Sequence, residues 1–568
     1  MTNNAAFSAG SKYSVSYEDF GAAGDGTTDD FGAIKKAHEY ANLNGLPVVT
    51  NPVKKYYIGE NFSEIPVMTD VNWSASQFII DDSKVPAENR SIAVFCVCSA
   101  MEKIRLSVKS IKKWQRKIDV ELKSNALVLA VNDEKKQFIR FGLNQDSGTS
   151  QTDCFLVDMT GTILTPVIWD FENITSMEAY PVDARPLCIN GGIFTTIANR
   201  AESRYTYYGR NIKINRSNVI VDGTVHHIIG ELDHGAPYGG FFYVSKSSNV
   251  VFRNCHVTGH KIYVTTGSAN LPVSMGSYDI SVSKSIDISF INCKQDDILN
   301  TALWGCYTMN ECKNVTFDGC VFSRVDAHRN ITNYMIKNCV LGHQGIQAIG
   351  HGKLLVENTT VFCSRFISFR GDYGSTWDGD VEIRDCIWYP DYTDQNSPAV
   401  LDLHNSGDHD YGYVCSLPSE VSIRNFIVMD GNTVKEEYRG PCVFGGDTNT
   451  KLRNYDGTEA GGFPHIFTEK LYLKNLRTQS GRGFRIWQSM PVQCYGKKKH
   501  LVRDNEVIVP NFRAYIDDVQ KFTLDYNEEN NCEYGSNHRL APCIEIRNCD
   551  DAVISKNAYP VKINYGGI

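Results

Sequence analysis

The chain has 568 residues, of which 42% are hydrophobic and 21% charged, and its formal net charge is −8. This length exceeds what one compact core usually holds, whereas a stack of repeated units has no such limit. The negative charge argues against a nucleic-acid-binding surface, and no stretch approaches the roughly 18 consecutive apolar residues of a membrane-spanning helix. We therefore expect neither a nucleic-acid partner nor a membrane segment.

The first 60 residues combine a turn-rich segment with a helix. The glycines and Asp25 in GAAGDGTT indicate turns, and Thr28, Asp29 or Asp30 can cap a helix that continues to about Asn42. Its predicted apolar stripe consists of Ala33, Ile34, Ala37 and Ala41. A helix with one apolar face before a stack of strands is typical of a cap over the open end of a solenoid.

Residues 61–200 contain strand patterns but not the repeat that follows them. The basic stretch 109–118 alternates like a solvated strand face, and 137–171 has the pattern of successive β-hairpins. We predict a small β-rich module here, inserted before the main rod and used for attachment or assembly.

From about residue 201 the chain repeats a short phrase of alternating apolar and polar residues that ends in Asn, Asp or Gly and then Cys. Examples are NVVFRNC at 249–255, DISFINC at 287–293, NVTFDGC at 314–320 and DVEIRDC at 380–386. One unit has about twenty residues and is too small to bury its own apolar face, so successive units must stack. The pattern predicts an all-β chain folded as a right-handed parallel β-helix.

The predicted β-helix, a solenoid, divides the chain into three parts. They are a capping segment at 1–60, the inserted module with the first rungs at 61–200, and the main β-helix at 201–568. Several of the 18 cysteines fall at equivalent strand ends, and we expect them to be buried free thiols rather than disulfides. We also expect no secretion signal, because residues 1–15 lack a basic segment followed by an apolar core.

The segment FGAAGDGTTDDFGAI at 20–34 resembles the start of phage tailspikes and other pectate-lyase-like β-helix proteins. The phrases YTYYGRNIKINRSNVIVDG and FIRFGLNQ are similar to the preneck appendage proteins of phages of Gram-positive bacteria, which attack teichoic acids or capsules. The resemblance implies a homotrimer in the phage tail of the virion, in contact with other tail proteins. Such a protein is made in the host cytoplasm and acts at the bacterial cell surface.

The densest group of polar side chains lies in three consecutive units, 320–386. Polar and apolar residues alternate in these units, so we expect the polar set on the outward face of the strands. The set contains Arg324, Asp326 and His328 in the first unit, Gln347 and His351 in the second, and Ser368, Arg370 and Asp372 in the third.

One interpretation of this set is glycoside hydrolysis by two carboxylates. Asp326 and Asp372 lie two units apart, or about 10 Å before side-chain reach is considered. Inverting glycosidases hold their carboxyl groups about 6.5–9.5 Å apart, which this spacing allows. Asp378 and Asp380, which follow in the next loop, compete for the second position.

A second interpretation is cleavage of a phosphodiester polymer such as wall teichoic acid. His328 would carry the proton, and Arg370 and Arg329 would bind phosphate through their forked donors. Tyr373 and Trp377 can stack on a sugar ring. The full predicted substrate-binding set is Arg324, Arg329, Gln347, His351, Arg370, Tyr373 and Trp377.

The sequence therefore predicts a depolymerase that hydrolyses a capsular polysaccharide, an exopolysaccharide or wall teichoic acid. A non-catalytic adhesin for the same polymer, a polysaccharide lyase and a purely structural spike stay open, because Asp and Asn at β-helix turns often form structural ladders. No cofactor and no metal are expected, since the Asp- and His-rich segment 402–413 matches no defined metal motif.

Overall fold

The computed structural model is nearly all β, and its strands form a parallel β-helix, as predicted. The structure describes residues 14–59, 63–89, 91–140, 149–198, 209–231, 240–266, 272–275, 278–305, 307–371, 376–390, 398–402, 409–411, 416–431, 438, 440–445, 451–453, 459–462, 468–487, 499–500, 506–507, 513–524, 543–549, 551–554 and 562–565. Within these residues the longest sheet has 35 strands, which pair in parallel between successive turns of the chain. Three parallel ladders result, one on each face of the rod.

The first ladder contains Val48–Val49, Val71–Asp81, Leu187–Ile197, Val219–Asp222, Ser248–Arg253, Ile286–Ile291, Lys313–Asp318, Ile331–Lys337, Gly350–Glu357, Trp377–Tyr389, Glu420–Val428, Lys470–Thr478, Arg513–Val519, Cys543–Arg547 and Lys562–Tyr565. The second ladder contains parts of the longer strands together with Asp25–Asp29, Lys55–Ile58, Val225–Ile229, His256–Val257, Lys294–Gln295 and Thr360–Phe362. The third ladder contains Ile65–Val67, Phe95–Cys98, Ile212–Asn215, Phe242–Ser245, Ile280–Ser283, Tyr307–Asn310, Val321–Arg329, Val340–Ala348, Arg365–Phe369, Ala399–Asp402, Cys442–Gly445, Phe484–Trp487, Lys521–Leu524 and Asp551–Ile554.

The core of the rod is built by stacking equivalent residues of successive turns. The rings of Phe252, Phe290 and Phe317 lie in one column, with centroids 5.1 and 4.9 Å apart. At the strand ends, Asn338 and Asn358 adopt left-handed backbone conformations (φ 54° and 45°), and Asn358 donates to the Asn338 amide oxygen at 2.8 Å. Asn is well suited to this conformation, which explains why it ends the repeated phrase.

The strand-end cysteines are free thiols that fill the corner of the core, as predicted. Cys255, Cys293 and Cys320 are fully buried, and Cys339 is nearly so. Within the described residues no cysteine is paired in a disulfide.

The N-terminal cap is the helix Phe31–Asn44, which follows the short 3₁₀ helix Glu18–Phe20. Its buried face is Ile34, Ala37, His38 and Ala41, so His38 takes the place that the sequence assigned to Ala33. His38 is accommodated because its imidazole contacts the Tyr17 hydroxyl at 2.9 Å. Among the described residues, the helices fall short of the length and apolarity needed to cross a membrane.

A separate antiparallel sheet, here called the insert sheet, interrupts the first turns of the rod. Its strands are Ile104–Arg105, Ala126–Arg140, Thr149–Val157, Ser176–Pro181 and His409–Tyr411. The first four come from the predicted inserted module, whereas His409–Tyr411 reaches it from a late turn of the rod.

The insert sheet lies against the side of the rod and is fixed there by buried polar contacts. The Lys313 ammonium is 2.7 Å from the Asp153 carboxylate, and both side chains are almost completely buried. The same ammonium donates to the Pro166 carbonyl oxygen at 2.6 Å. The insert therefore covers part of the side of the rod.

The remaining elements are small and lie outside the three ladders. They are the 3₁₀ helix Ala87–Asn89 and the two-stranded pairs His260–Lys261 with Leu303–Gly305, Tyr263–Thr266 with Pro272–Met275, Lys451–Arg453 with Glu459–Gly462, and Lys499–His500 with Glu506–Val507.

Candidate functional site

The third ladder carries a row of outward polar residues over several turns. Asp326 pairs in register with Gln347, Gln347 with Ser368, and Ser368 with Asp402. Their apolar strand neighbours, such as Val325 and the other inward residues, are buried in the core. The alternation predicted from the sequence therefore brings Asp326, Gln347 and Ser368 onto one face.

Asp326 is the centre of a dense hydrogen-bonded group. Its carboxylate accepts from the Tyr278 hydroxyl at 2.8 Å and from Arg370 Nη1 at 3.0 Å, and Arg324 Nη2 lies 2.8 Å away. The Gln347 amide oxygen also accepts from both guanidinium groups. Asp326 itself is completely buried beneath these partners.

Two aromatic rings complete this group. The Arg324 guanidinium carbon lies 4.9 Å from the ring centroid of Trp304 and 5.5 Å from that of Tyr278. Both rings are partly exposed, so they present an aromatic surface beside the arginines. We call the six residues Tyr278, Trp304, Arg324, Asp326, Gln347 and Arg370 the Asp326 cluster.

The electrostatics of Asp326 exclude the acid role within its predicted acid/base pair. Burial raises the pKa of its carboxyl group, but the charges of Arg324 and Arg370 outweigh burial and hold the pKa below its usual value. An ionised carboxylate with three donors directed at it has no proton to give. Its described surroundings suit a residue that fixes the two arginines.

Asp372, the predicted partner, and Tyr373 lie outside the described residues.

His328 and Arg329 are displaced from the row by an irregularity in the ladder. Met309 pairs with Ala327, but the next pair is Asn310 with Arg329, so His328 is an extra residue. The His328 imidazole contacts the Asn310 amide oxygen at 2.9 Å. The irregularity interrupts the regular register between Asp326 and His328, although His328 still acts on Asp326 electrostatically and helps to lower the pKa of its carboxyl group.

Arg329 is directed toward the insert sheet. Its Nη1 donates to the Thr149 hydroxyl at 3.0 Å, and its Nε lies 3.5 Å from the Glu311 carboxylate. The proposed role of Arg329 in binding phosphate is thus replaced by a contact between rod and insert.

His351 and Asp378 form a second polar group, around the corner on the first ladder. They pair in register, and His351 Nδ1 lies 3.5 Å from the Asp378 carboxylate. The insert contributes Trp169, whose ring meets the imidazole edge-on at 5.1 Å, and Lys113, whose ammonium is 3.9 Å from Asp378. The hydrogen bond with His351 holds the pKa of Asp378 below its usual value although burial opposes it.

Trp377 does not offer a stacking surface. Its side chain is completely buried, its indole N–H donates to the Gly352 carbonyl oxygen at 2.9 Å, and its ring packs beside Phe369. The prediction that Trp377 stacks on a sugar is wrong, because the residue begins a strand at a corner of the rod and faces the core.

A buried network that the sequence did not reveal lies beside the Asp326 cluster. Asp279, adjacent in the chain to Tyr278, lies 2.7 Å from His226 Nδ1 and 3.1 Å from His260 Nε2. His260 Nδ1 in turn lies 3.3 Å from the Glu231 carboxylate. His260 is completely buried.

Two of the missed residues in the Asp326 cluster come from loops of earlier turns. Tyr278 lies two residues before the strand Ile280–Ser283 of the third ladder, and Trp304 belongs to the short strand Leu303–Gly305 that lies outside the ladders. In the sequence, each of the two is an aromatic residue one or two units before Arg324. This pattern indicates a contact with Arg324 only when the ladder register is known.

The acidic segment 402–413 shows no metal site in its described part. Asp402 is paired with Arg365 Nε at 2.9 Å, His409 and Asp410 belong to the insert sheet, and His404 and Asp408 lie outside the described residues. Among all described residues, no group of three or more His, Cys, Asp or Glu side chains is placed to hold a metal ion.

No protein-family profile matches the chain, and no curated protein matches its sequence. Among solved structures, a tailspike of Pseudomonas phage phi297 covers 84% of this chain and 82% of its own at 12% identity, with a TM-score of 0.45. A tailspike of Pseudomonas phage LKA1 covers 84% and 83% at 13% identity and a TM-score of 0.45. A surface adhesin of Streptococcus pneumoniae covers 88% and 99% at 12% identity and a TM-score of 0.35. The assignment of the fold as a parallel β-helix rests on the parallel strand pairs observed in this chain.

Proposed function

We propose that this chain is a tailspike-type protein whose Asp326 cluster binds a linear polymer of the bacterial surface. The observation that carries the proposal is the combination, on an outward strand face, of two partly exposed rings with two arginines held by one carboxylate. Aromatic rings stack on the apolar faces of sugars, and arginines supply fixed donors. A rod with such a face can contact several repeat units of a polymer at once.

The setting of this function follows from the sequence resemblance and belongs to the same proposal. The protein acts as a homotrimer in the tail of a virion, bound to other tail proteins, and contacts a capsule, an exopolysaccharide or wall teichoic acid on a Gram-positive host. It is made in the host cytoplasm before assembly.

Hydrolysis of the same polymer is the second candidate function, and the pair His351–Asp378 favours it. A carboxylate beside one ring nitrogen orients an imidazole, so that the other nitrogen can accept or deliver a proton. Asp378 is 56% exposed and His351 13% exposed, so solvent and substrate would approach this pair from the side of Asp378. The reaction would be glycoside or phosphodiester hydrolysis, with His351 as proton carrier in place of the predicted His328 and of the predicted carboxylate pair that contains Asp326. Lyase chemistry is the third candidate.

The test is to incubate the purified protein with capsule and with wall teichoic acid from candidate Gram-positive hosts. Binding is followed by co-sedimentation, and cleavage by size-exclusion chromatography with mass spectrometry of the fragments. Trp304→Ala probes the Asp326 cluster and His351→Ala the proposed proton carrier. Tyr389→Ala is the matched control, because Tyr389 is a partly exposed aromatic residue on another face.

Binding that is weakened by Trp304→Ala but not by Tyr389→Ala supports the polymer-binding function. Shortened fragments that disappear with His351→Ala, while binding persists, add the hydrolase function. Binding without shortening leaves an adhesin. If no polymer is retained, or if Trp304→Ala binds as tightly as the wild type, the proposed site is wrong.

A further inference from the structure

The position of Arg324 indicates what kind of group the Asp326 cluster binds. Its side chain is 3% exposed, and its Nη2 is used by Asp326 and Gln347. Its Nε is buried and has no hydrogen-bond acceptor among the described residues. A buried guanidinium N–H without an acceptor is destabilising, so an acceptor brought by a ligand would be favoured here.

A second buried donor belongs to the neighbouring aromatic residue. The indole Nε1 of Trp304 is likewise buried without an acceptor in the described part of the chain, although the ring as a whole is partly exposed. The ring and the Arg324 guanidinium are in contact at 4.9 Å. One charged and one neutral N–H donor therefore occur in adjoining side chains.

The carboxylate and amide oxygens of the cluster are engaged by other donors. Asp326 already accepts from Tyr278, Arg324 and Arg370, and the Gln347 oxygen accepts from both arginines. A ligand that satisfies the remaining donors must be rich in acceptors. Because one donor belongs to a guanidinium, an anionic oxygen group satisfies it best.

A short strand lies over Arg324 at the place where a ligand would have to enter. The strand Leu303–Gly305 pairs with only the two residues His260–Lys261, with a register shift between them. Gly305 passes close over Arg324, since a Cβ on this glycine would lie 3.1 Å from the Arg324 Cβ. Both donors are buried, and Trp304 belongs to this strand, so the binding proposed below requires the short strand to shift.

We infer that the Asp326 cluster recognises an anionic substituent of the polymer, a carboxylate or a phosphodiester, through Arg324 Nε and Trp304 Nε1. The inference rests on the proposed polymer-binding function and narrows its substrate class. A neutral glycan would leave the guanidinium donor with a weaker acceptor.

The experiment is calorimetric titration of the full chain with oligogalacturonate, poly(glycerol phosphate) and dextran, which present a carboxylate, a phosphodiester and no charge. Trp304→Phe keeps the ring and removes only the N–H, and should weaken anionic binding about three- to tenfold. Arg324→Lys keeps the charge but loses Nε and should weaken it about ten- to hundredfold. Arg424→Gln is the control for non-specific charge attraction, because it removes a positive charge on another face, where Arg424 is paired with Glu382.

Binding of oligogalacturonate or of poly(glycerol phosphate), weakened by Trp304→Phe and unchanged by Arg424→Gln, supports the inference and identifies the anion. If the protein binds dextran, and if Trp304→Ala abolishes this binding while Trp304→Phe leaves it intact, the inference is wrong and the proposed polymer-binding function still holds. Anionic binding that Arg424→Gln weakens and Arg324→Lys leaves unchanged is non-specific charge attraction and also overturns the inference. If neither these probes nor the host polymers bind, both proposals fall.

Discussion

Replacing Asp326 by asparagine should destabilise the middle of the rod, because the carboxylate holds two buried or half-buried arginines. In Asp326→Asn the shape of the side chain is kept, but the charge opposite Arg324 and Arg370 is lost. Removing one partner of a buried ion pair costs about 3–5 kcal/mol, since the remaining charge stays uncompensated. A carboxylate shared by two guanidinium groups should fall at the upper end of this range.

The loss should be local, because each turn of a solenoid contacts only its neighbours. Hydrogen exchange followed by mass spectrometry should therefore accelerate in the strands Val321–Arg329, Val340–Ala348 and Arg365–Phe369 and stay unchanged in distant turns. Asp385→Asn is the control. Asp385 is an exposed strand-end residue at φ 56°, a conformation that asparagine adopts readily, so it should change little.

The pH dependence gives an independent check with a definite sign. Burial raises the pKa of Asp326, but Arg324 and Arg370 outweigh it, and the folded pKa lies below the unfolded value. The stability that the carboxylate contributes is then fully present above the unfolded pKa of about 3.9 and is lost as the pH falls through the folded pKa. The difference in melting temperature between wild type and Asp326→Asn should thus be constant near neutral pH and shrink in acid. Equal melting and equal exchange at neutral pH would refute the assigned role of Asp326.

Three further perturbations test other parts of the molecule. Lys313→Met leaves the buried Asp153 carboxylate without its ion-pair partner, so it should lower the free energy of unfolding by about 3–5 kcal/mol and speed hydrogen exchange in the insert sheet. Unchanged hydrogen exchange would contradict the contact. Burial lowers the pKa of His260, but hydrogen bonds to two carboxylates outweigh it and raise the pKa to about 10. His260→Gln should therefore lower the melting temperature most below the unfolded pKa of about 6.5 and progressively less as the pH rises toward 10, and a pH-independent difference would argue against a charged imidazole. Gly191→Ala should lower the melting temperature more than Gly223→Ala. Both glycines have φ +71°, but only at Gly191 would an added Cβ meet a backbone oxygen, at 2.1 Å. Equal changes in melting temperature would exclude that clash.

The fold was predictable from the sequence because a parallel β-helix repeats its physical requirements in every turn. Residues such as Val315 and Phe317 must face the core, and the strand end needs a residue that tolerates a left-handed backbone, as Asn338 does. The alternation of apolar and polar residues with a period of two and the strand-end asparagine thus recur together, and both can be recognised in the sequence alone. The same regularity aligned Asp326 with Gln347 and Ser368.

The parts of the site that the sequence did not predict depend on contacts between distant segments. Trp304 reaches Arg324 from a loop, and Trp169 and Lys113 reach His351 and Asp378 from an insert some two hundred residues away in sequence. Nothing in the local pattern encodes where an insert folds back. A single extra residue at His328 was enough to break the alternation on which the predicted Asp326–His328 pair depended.

The two polar groups on this rod have different physical characters, and this difference assigns them different tasks. In the Asp326 cluster the central carboxylate is buried, ionised and shared between two arginines, and it adjoins a buried network that runs from Asp279 through His260 to Glu231. Such a matched network keeps its charges and its geometry fixed, which suits recognition. Proton transfer needs the opposite, namely a titratable group that the substrate can reach. In the proposed hydrolase function this task falls to the pair of His351, 13% exposed, and Asp378, 56% exposed, which lies around one corner from the cluster. A polymer held by the first group and crossing that corner would bring its backbone to the second, so binding and cleavage need not share a single residue.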